Sequence, residues 1–299
     1  MVPSLINSDF LNANVVFVAA NGDITSTSGK GADRAPAAIR RCLDEQIEFR
    51  EPRTGIVTTE RLRLAWHDLG DLNGGRTPEA QASAVTRVAS ELATIWRAKK
   101  YPLLIGGDHS MSIGALQGWA SLANATETTI LQIDAHHDLR RDDGDCVQGG
   151  FGPLSHACAL RAAVEAGYRL TAVGVRSFSA EEEMFLKRRR GVRTFYWGLT
   201  RSFVPPSVDE ILKSIRTEQV YITIDVDGFD PAVMPATGTP VSGGLGWWYG
   251  LDLLQEVCRE KRVVGADICE VAPRAGETLT EYNAAQLAYC LITWAWAKR

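Results

Sequence analysis

The stretch Leu131-Gln-Ile-Asp134-Ala-His136-His137-Asp138 decides how this chain is read. Three apolar or β-prone residues run directly into four side chains able to hold a metal, with only Ala135 between them. An unpartnered Asp or His is costly to bury, so four of them at the end of a buried strand need a shared purpose. The alternation Asp134, His136, Asp138 fits a strand end, where side chains two apart share a face.

Around this stretch, strand and helix signals alternate along the whole chain. Short apolar runs at 14–20, 64–69, 102–105, 129–134, 170–175, 192–197, 219–225 and 263–268 read as buried strands. Between them, 36–43, 77–99, 111–122, 156–167, 180–190, 207–216 and 249–261 read as helices, and a last helix covers 281–297. Residues 47–63 read as irregular. Strands separated by helices throughout argue a three-layer αβα fold, an α/β protein with one mostly parallel sheet between helices. No linker, composition break or repeat divides the 299 residues, so the chain reads as a single domain with residues 1–13 as an N-terminal extension.

The formal net charge of −4 gives no basic footprint for nucleic acid or an anionic membrane. No apolar run approaches the roughly 20 residues of a membrane span. The N-terminus lacks a basic segment followed by an apolar one, so it does not read as a signal peptide. The six cysteines are scattered without a C-x-x-C, which reads as reduced thiols in a cytoplasmic protein.

Folds of this class place ligands beyond the carboxyl ends of their strands. Strand 102–105 ends in Gly106-Gly107-Asp108-His109-Ser110, and strand 219–225 in Asp225-Val-Asp227-Gly-Phe-Asp230-Pro231. Strand 263–268 ends in Cys269-Glu270. With the opening stretch, four strands thus bring His109, Asp134, His136, Asp138, Asp225, Asp227 and Glu270 to one edge. That many carboxylates would repel without cations, and two divalent ions resolve the repulsion. Imidazole with carboxylate suits Mn²⁺, with Ni²⁺ as the alternative; Co²⁺ and Zn²⁺ also fit. Such a pair, about 3.5–4 Å apart, makes hydroxide available near neutral pH.

These motifs, with Pro235-Ala-Thr-Gly-Thr239-Pro-Val-Ser-Gly-Gly244 and Gly31-Ala-Asp-Arg-Ala-Pro36-Ala-Ala-Ile39-Arg40, resemble the ureohydrolase family of arginases and agmatinases over about residues 29–295. The resemblance implies hydrolysis of a small guanidino compound to urea and an amine. It places His109 and Asp138 on one ion and His136 and Asp227 on the other, with Asp134 and Asp225 bridging. It implies Glu270, Thr239 and His156 as substrate-binding residues. Glu270 would pair with the guanidinium, Asp138 would orient the nucleophile and His156 would pass a proton to the leaving amine. It also implies a homo-oligomer, trimer or hexamer, with a hetero-oligomer left open.

An agmatine-like substrate is the leading expectation. Guanidine itself, a methylguanidine or biguanide, or a guanidino acid is the alternative, and nickel would then be an option. The loop from Asp138 to His156 departs from the family, which argues against L-arginine. Its acidic run Asp142, Asp143, Asp145 reads as a solvated turn, with a cationic substrate tail as the competing partner. His137 is expected to line or support the pocket and not to bind an ion. Trp247-Trp248-Tyr249 reads as packing at a helix entry, or else as a pocket wall or subunit contact. His67 reads as ordinary packing. A noncatalytic partner subunit would need none of these site residues, and a phosphoester hydrolase would not aim Glu270 at its substrate.

Overall fold

In the computed structural model, which describes residues 4–144 and 150–297, the short β-branched runs become strands and the stretches between them become helices. The strands are β1 Val15–Asn21, β2 Leu64–Asp71, β3 Tyr101–Ile105, β4 Thr128–Ile133, β5 Arg169–Val175, β6 Val192–Tyr196, β7 Gln219–Asp225 and β8 Arg262–Cys269. The helices are α1 Ala35–Glu45, α2 Thr58–Arg61, α3 Pro78–Arg97, α4 Met111–Ala120, α5 Arg161–Glu165, α6 Ala180–Leu186, α7 Val208–Ser214, α8 Trp247–Glu260 and α9 Leu279–Trp296. The strands form one eight-stranded sheet in the order β2-β1-β3-β8-β7-β4-β5-β6, and every neighbouring pair is parallel.

Strand alternation sorts the core into two layers. Val15 and Phe17 of β1 pack with Ile39 of α1, Leu254 of α8 and Leu291 of α9 on one face of the sheet. Val16 and Val18 point the other way, into Val88 of α3 and Leu116 of α4. Burying side chains of this size contributes about 1.5–3 kcal/mol each, and both faces of the sheet supply them along its length. Helix α3 starts where its sequence says it should: the Thr77 side chain caps the Ala80 N–H, and Pro78 fills the first turn, where no N–H is needed.

Residues before β1 are tied to the sheet edge, with Leu5 fully buried and the Asn7 N–H donating to the Leu64 carbonyl at 3.1 Å. The helix expected over 156–167 is broken. A 3₁₀ turn at His156–Cys158 precedes the short α5. The break arises because the Leu160 N–H donates to the Asp138 carbonyl (3.0 Å) and the Ala157 carbonyl accepts from Arg140 N–H (3.1 Å). The segment is held to the loop after β4 instead of continuing its own ladder. Among the described residues no helix is long and apolar enough to cross a membrane. The five described cysteines are free and buried; Cys146 lies outside the described residues.

Candidate metal centre and substrate pocket

The four motif-bearing strands β3, β8, β7 and β4 are neighbours in the middle of the sheet, so their carboxyl ends deliver all four motifs to one place. After β3 the chain turns through Gly106 and Gly107, both at positive φ. A Cβ at Gly107 would sit 2.9 Å from the Gly22 carbonyl oxygen. That turn carries His109 into the site.

The opening stretch behaves differently from the strand-end expectation. β4 stops at Ile133, and residues 134–138 form a loop in which Asp138 adopts φ of 52°. The loop is shaped by side chain to main chain bonds. Asp134 Oδ1 accepts the His136 N–H (2.6 Å), and Gln132 Nε2 donates to Asp134 Oδ2 (2.8 Å) and to the His136 carbonyl (3.2 Å). The same turn recurs after β7, where Asp225 Oδ1 accepts the Asp227 N–H at 2.9 Å. Asp-x-His and Asp-x-Asp are thus two copies of one device, each aiming two ligand-type side chains inward.

All six expected ion ligands converge. Ligand atoms of His109, Asp134, Asp138 and Asp225 lie within 4.8 Å of one another, and so do those of Asp134, His136 and Asp227. Asp134 belongs to both groups, and Asp225 to the first. A third group, His109 with Asp267 and Cys269, lies behind the first. His109 Nδ1 is 2.8 Å from Asp138 Oδ2 and 3.3 Å from Asp134 Oδ2, while His136 Nδ1 is 3.1 Å from Asp227 Oδ2.

The charges inside this cluster are frustrated without cations. Burial pushes the Asp225 carboxyl well above the usual carboxylate range, and the neighbouring Asp227 and Asp134 push it the same way. Burial and Asp134 raise Asp138 too. Asp134 goes down despite its burial, because His109 and His136 both face it. Burial opposes the His136 imidazolium, yet Asp227 and Asp134 carry its pKa to about 12. His109 is also raised against its burial. Burial keeps its neighbour Cys269 as the thiol, so Asp134 and Asp138 supply that attraction. Protons stand here where cations would balance the carboxylates better.

The back of His109 decides which nitrogen faces inward. Its Nε2 lies 2.8 Å from Thr223 Oγ1, whose hydroxyl donates to Asp267 Oδ1 at 2.6 Å. The Thr223 proton being committed to Asp267, the oxygen can only accept from Nε2–H. That leaves Nδ1 facing the carboxylates of Asp138 and Asp134, where it carries a proton in the ion-free site and offers its lone pair to an ion once that proton leaves. A carboxylate-backed imidazole of this kind is how proteins orient metal-binding histidines, and the donor set fits two divalent ions.

Around the cluster lies a cavity of about 220 Å³, whose walls include Thr27, Arg140, His156, Phe178, Glu182 and Thr239. His156 Nδ1 is 3.2 Å from Ser155 Oγ, and the His156 N–H donates to Thr25 Oγ1 at 3.0 Å. Thr25 in turn donates to Asp108 Oδ2 at 2.9 Å, so Asp108 of the Gly-Gly-Asp-His motif is spent on holding the His156 loop. Thr239 donates to Asp227 Oδ2 at 3.0 Å. Glu270 is buried, adopts φ of 62° and accepts the His109 N–H through Oε1 at 2.8 Å. Burial and the Asp108 charge hold its carboxyl well above the usual range. Two left-handed non-glycine residues, Asp138 and Glu270, flank the cluster, and backbone strain of this kind gathers at functional sites.

Other readings are corrected or refined. Asp143 is neither solvated nor aimed at a substrate tail: it is buried and accepts the Phe151 and Gly152 N–H groups at 2.9 and 2.8 Å. Asp142 makes an exposed turn with the Gly144 N–H, and Asp145 lies outside the described residues. His137 is buried outside all three ion groups, with its ring edge-on to Phe178 and Tyr196 at 5.4 and 5.7 Å, so it supports a pocket wall. Trp247 packs on Phe229, Tyr249 packs on Trp197 and bonds the Pro206 carbonyl, and none of the three aromatics lines the pocket. Trp248 is 69% exposed beneath Arg53. His67 is half-buried, tilted against Phe10 and 3.2 Å from Glu91. Sequence reasoning missed Thr25, Asp108, Thr223, Asp267 and Arg176. Of these, Asp108 and Asp267 carried a signal, each being a carboxylate within three residues of an expected site residue.

A sequence model of the Arginase family matches residues 13–293. The chain belongs to the arginase family. Among its arginase-family relatives, the N(1)-aminopropylagmatine ureohydrolase of Synechocystis sp. is 32% identical over 288 residues, which is 95% of this chain and 90% of that protein. The agmatinase of Pyrococcus horikoshii is 30% identical over 292 residues, covering 95% and 93% of the two chains. The crystal structure of agmatine ureohydrolase of Thermoplasma volcanium superposes with a TM-score of 0.80 at 26% identity, over 99% of this chain and 96% of that one.

Proposed function

We propose that this arginase-family chain is a two-ion ureohydrolase that splits a small guanidino compound into urea and an amine. The observation that carries the reading is the pair of ligand groups sharing Asp134, with the back of His109 fixed so that Nδ1 faces inward. His109 and Asp138 would hold one ion, His136 and Asp227 the other, and Asp134 and Asp225 would lie between them. Manganese is the leading choice for both and nickel the alternative. Bound there, two divalent ions supply hydroxide near neutral pH and stabilise the charge that develops on the attacked group.

The chain's own residues do the rest. Glu270, with Oε1 on the His109 N–H, keeps Oε2 for the guanidinium, whose planar N–H array a carboxylate matches. Asp138 accepts a hydrogen bond from the attacking water and so orients it. The water oxygen bonds to the guanidino carbon as its proton passes to Asp138, the bond from that carbon to the alkylated nitrogen breaks, the electron pair leaves on nitrogen, and His156 donates a proton there. Thr25 and Ser155 hold His156 at the pocket wall for that transfer. Thr239 fixes the Asp227 carboxylate and borders the substrate.

The named activities of the relatives support an agmatine-like substrate. A urea-release screen over agmatine, aminopropylagmatine, guanidinobutyrate, methylguanidine and guanidine, with manganese and nickel in parallel, tests this. Release from agmatine or its aminopropyl derivative above all others is the expected outcome; release from guanidine or an acid alone would overturn the substrate, and none from any would overturn the reaction. The family resemblance further favours a homo-oligomer, a trimer or hexamer, which light scattering on the purified chain reads directly.

A further inference from the structure

Arg176, at the end of β5, touches no ion-ligand side chain, yet it is woven into the ion-holding half of the site. Its Nη2 donates to the carbonyls of Asp227 (2.7 Å), Val241 (2.9 Å) and Phe229 (3.3 Å). Its Nη1 reaches the Gly174 carbonyl at 2.9 Å and that of Gly228 at 3.4 Å, and Nε reaches the Ser242 carbonyl at 3.2 Å. Its main-chain N–H donates to the Ala135 carbonyl at 2.9 Å. On the far side of that same residue, the Ala135 N–H donates to Asp227 Oδ1 at 3.0 Å.

Three loops therefore meet on one residue: 134–138, which carries Asp134, His136 and Asp138; 227–229, which carries Asp227; and the 237–242 loop, whose Thr239 hydroxyl bonds Asp227 Oδ2. Beyond its own strand, every contact of the guanidinium falls on the 227–229 and 237–242 loops, which is the Asp227 side. His109 and Asp138 are oriented by other means, the Thr223–Asp267 pair and the left-handed turn at Asp138. A guanidinium is the side chain that suits this place, because five N–H groups in a rigid fork can serve six carbonyls and a lysine ammonium has only three. Its positive charge, near Asp227, Asp134 and Asp225 of the cluster, adds to the fit.

We propose that Arg176 is a positioning residue for the second ion, setting the carboxylate of Asp227 so that the His136–Asp227 position binds while the His109–Asp138 position forms without it. The proposal rests on the two-ion reading above. Loss of a partner that orients a ligand costs about 10–100-fold in ion affinity, and here the cost falls on one ion of the two.

The test is a stepwise Mn²⁺ titration of the ion-free wild-type, R176K and R176Q chains, followed by electron paramagnetic resonance. Wild type is expected to take two ions and give the spectrum of a coupled pair. R176K is expected to keep the first step and to weaken the second by 10-fold or more, so that at one ion per chain it shows an isolated six-line signal. Two wild-type-like steps in a folded R176K, or equal weakening of both, overturns the proposal. Should the lysine variant not fold without ions, R176Q and the Mn²⁺ dependence of Tm read the same two steps, and a wild-type-like dependence overturns it as well. A wild-type chain that takes one ion instead sinks the two-ion reading itself.

Discussion

Replacing Thr223 by Val removes one hydroxyl and almost no volume, and it should weaken ion binding from behind. In the native chain Thr223 Oγ1 accepts from His109 Nε2 and donates to Asp267 Oδ1, all three side chains being buried. Valine strands the Nε2–H, which costs about 1–3 kcal/mol of stability for one unsatisfied buried donor. It also removes the restraint that fixes the ring with Nε2–H behind and Nδ1 aimed at Asp138 and Asp134, so that Nδ1 is the nitrogen that gives up its proton to an ion. An outer partner of this kind is worth about 10–100-fold in ion affinity, roughly 1.4–2.7 kcal/mol. Competition for Mn²⁺ against a chromophoric chelator measures the affinity, and thermal unfolding in EDTA measures the stability separately. T223S keeps the hydroxyl and should restore both. A folded T223V chain that binds Mn²⁺ as tightly as wild type would refute the assigned tautomer and with it the role of His109 Nδ1.

Three further outcomes are expected. Because Asp227 and Asp134 raise His136 to about 12 against its burial, the ion-free site holds that imidazole protonated throughout the neutral range. Ion uptake must then release a proton, so affinity should fall as pH falls below that value; calorimetry in buffers of different ionisation enthalpy showing no release contradicts it. The same raised pKa stabilises the ion-free fold fully below the unfolded value near 6.5, and this contribution is lost as pH rises toward 12. Glu270→Gln can still accept the His109 N–H but loses the charged partner for guanidinium, so kcat/KM should drop about 10- to 100-fold; an unchanged value would remove that role. Asp143→Ala frees the Phe151 and Gly152 N–H groups of the loop leading to His156. Its effect should be a several-fold loss of kcat, with KM ratios between cationic and uncharged guanidines unchanged; a selective KM rise for the cationic substrate would restore the tail-binding reading.

What could be read from residues alone was whatever repeats a type at a strand end. Asp134, His136, Asp225 and Asp227 follow apolar runs directly, where only function tolerates them, and the parallel sheet follows from the alternation of those runs with helices. The geometry that makes them converge was misread, because an Asp side chain bonding the N–H two residues on looks like strand alternation in one dimension. Arg176 was invisible for a different reason. Its acceptors are main-chain carbonyls from four separate segments, and no residue type marks a carbonyl. Asp143 was misjudged because Asp-Asp-Gly-Asp has a turn composition, and its burial depends on where residues 151 and 152 return.

The central claim is that two ions act together across Asp134. Its most direct test is urea release plotted against manganese bound per chain as the ion-free protein is reconstituted. The account expects turnover near zero up to one ion per chain and rising with the second, to a maximum at two. Turnover that is complete with the first ion, or absent on every guanidino compound with two ions bound, would contradict it.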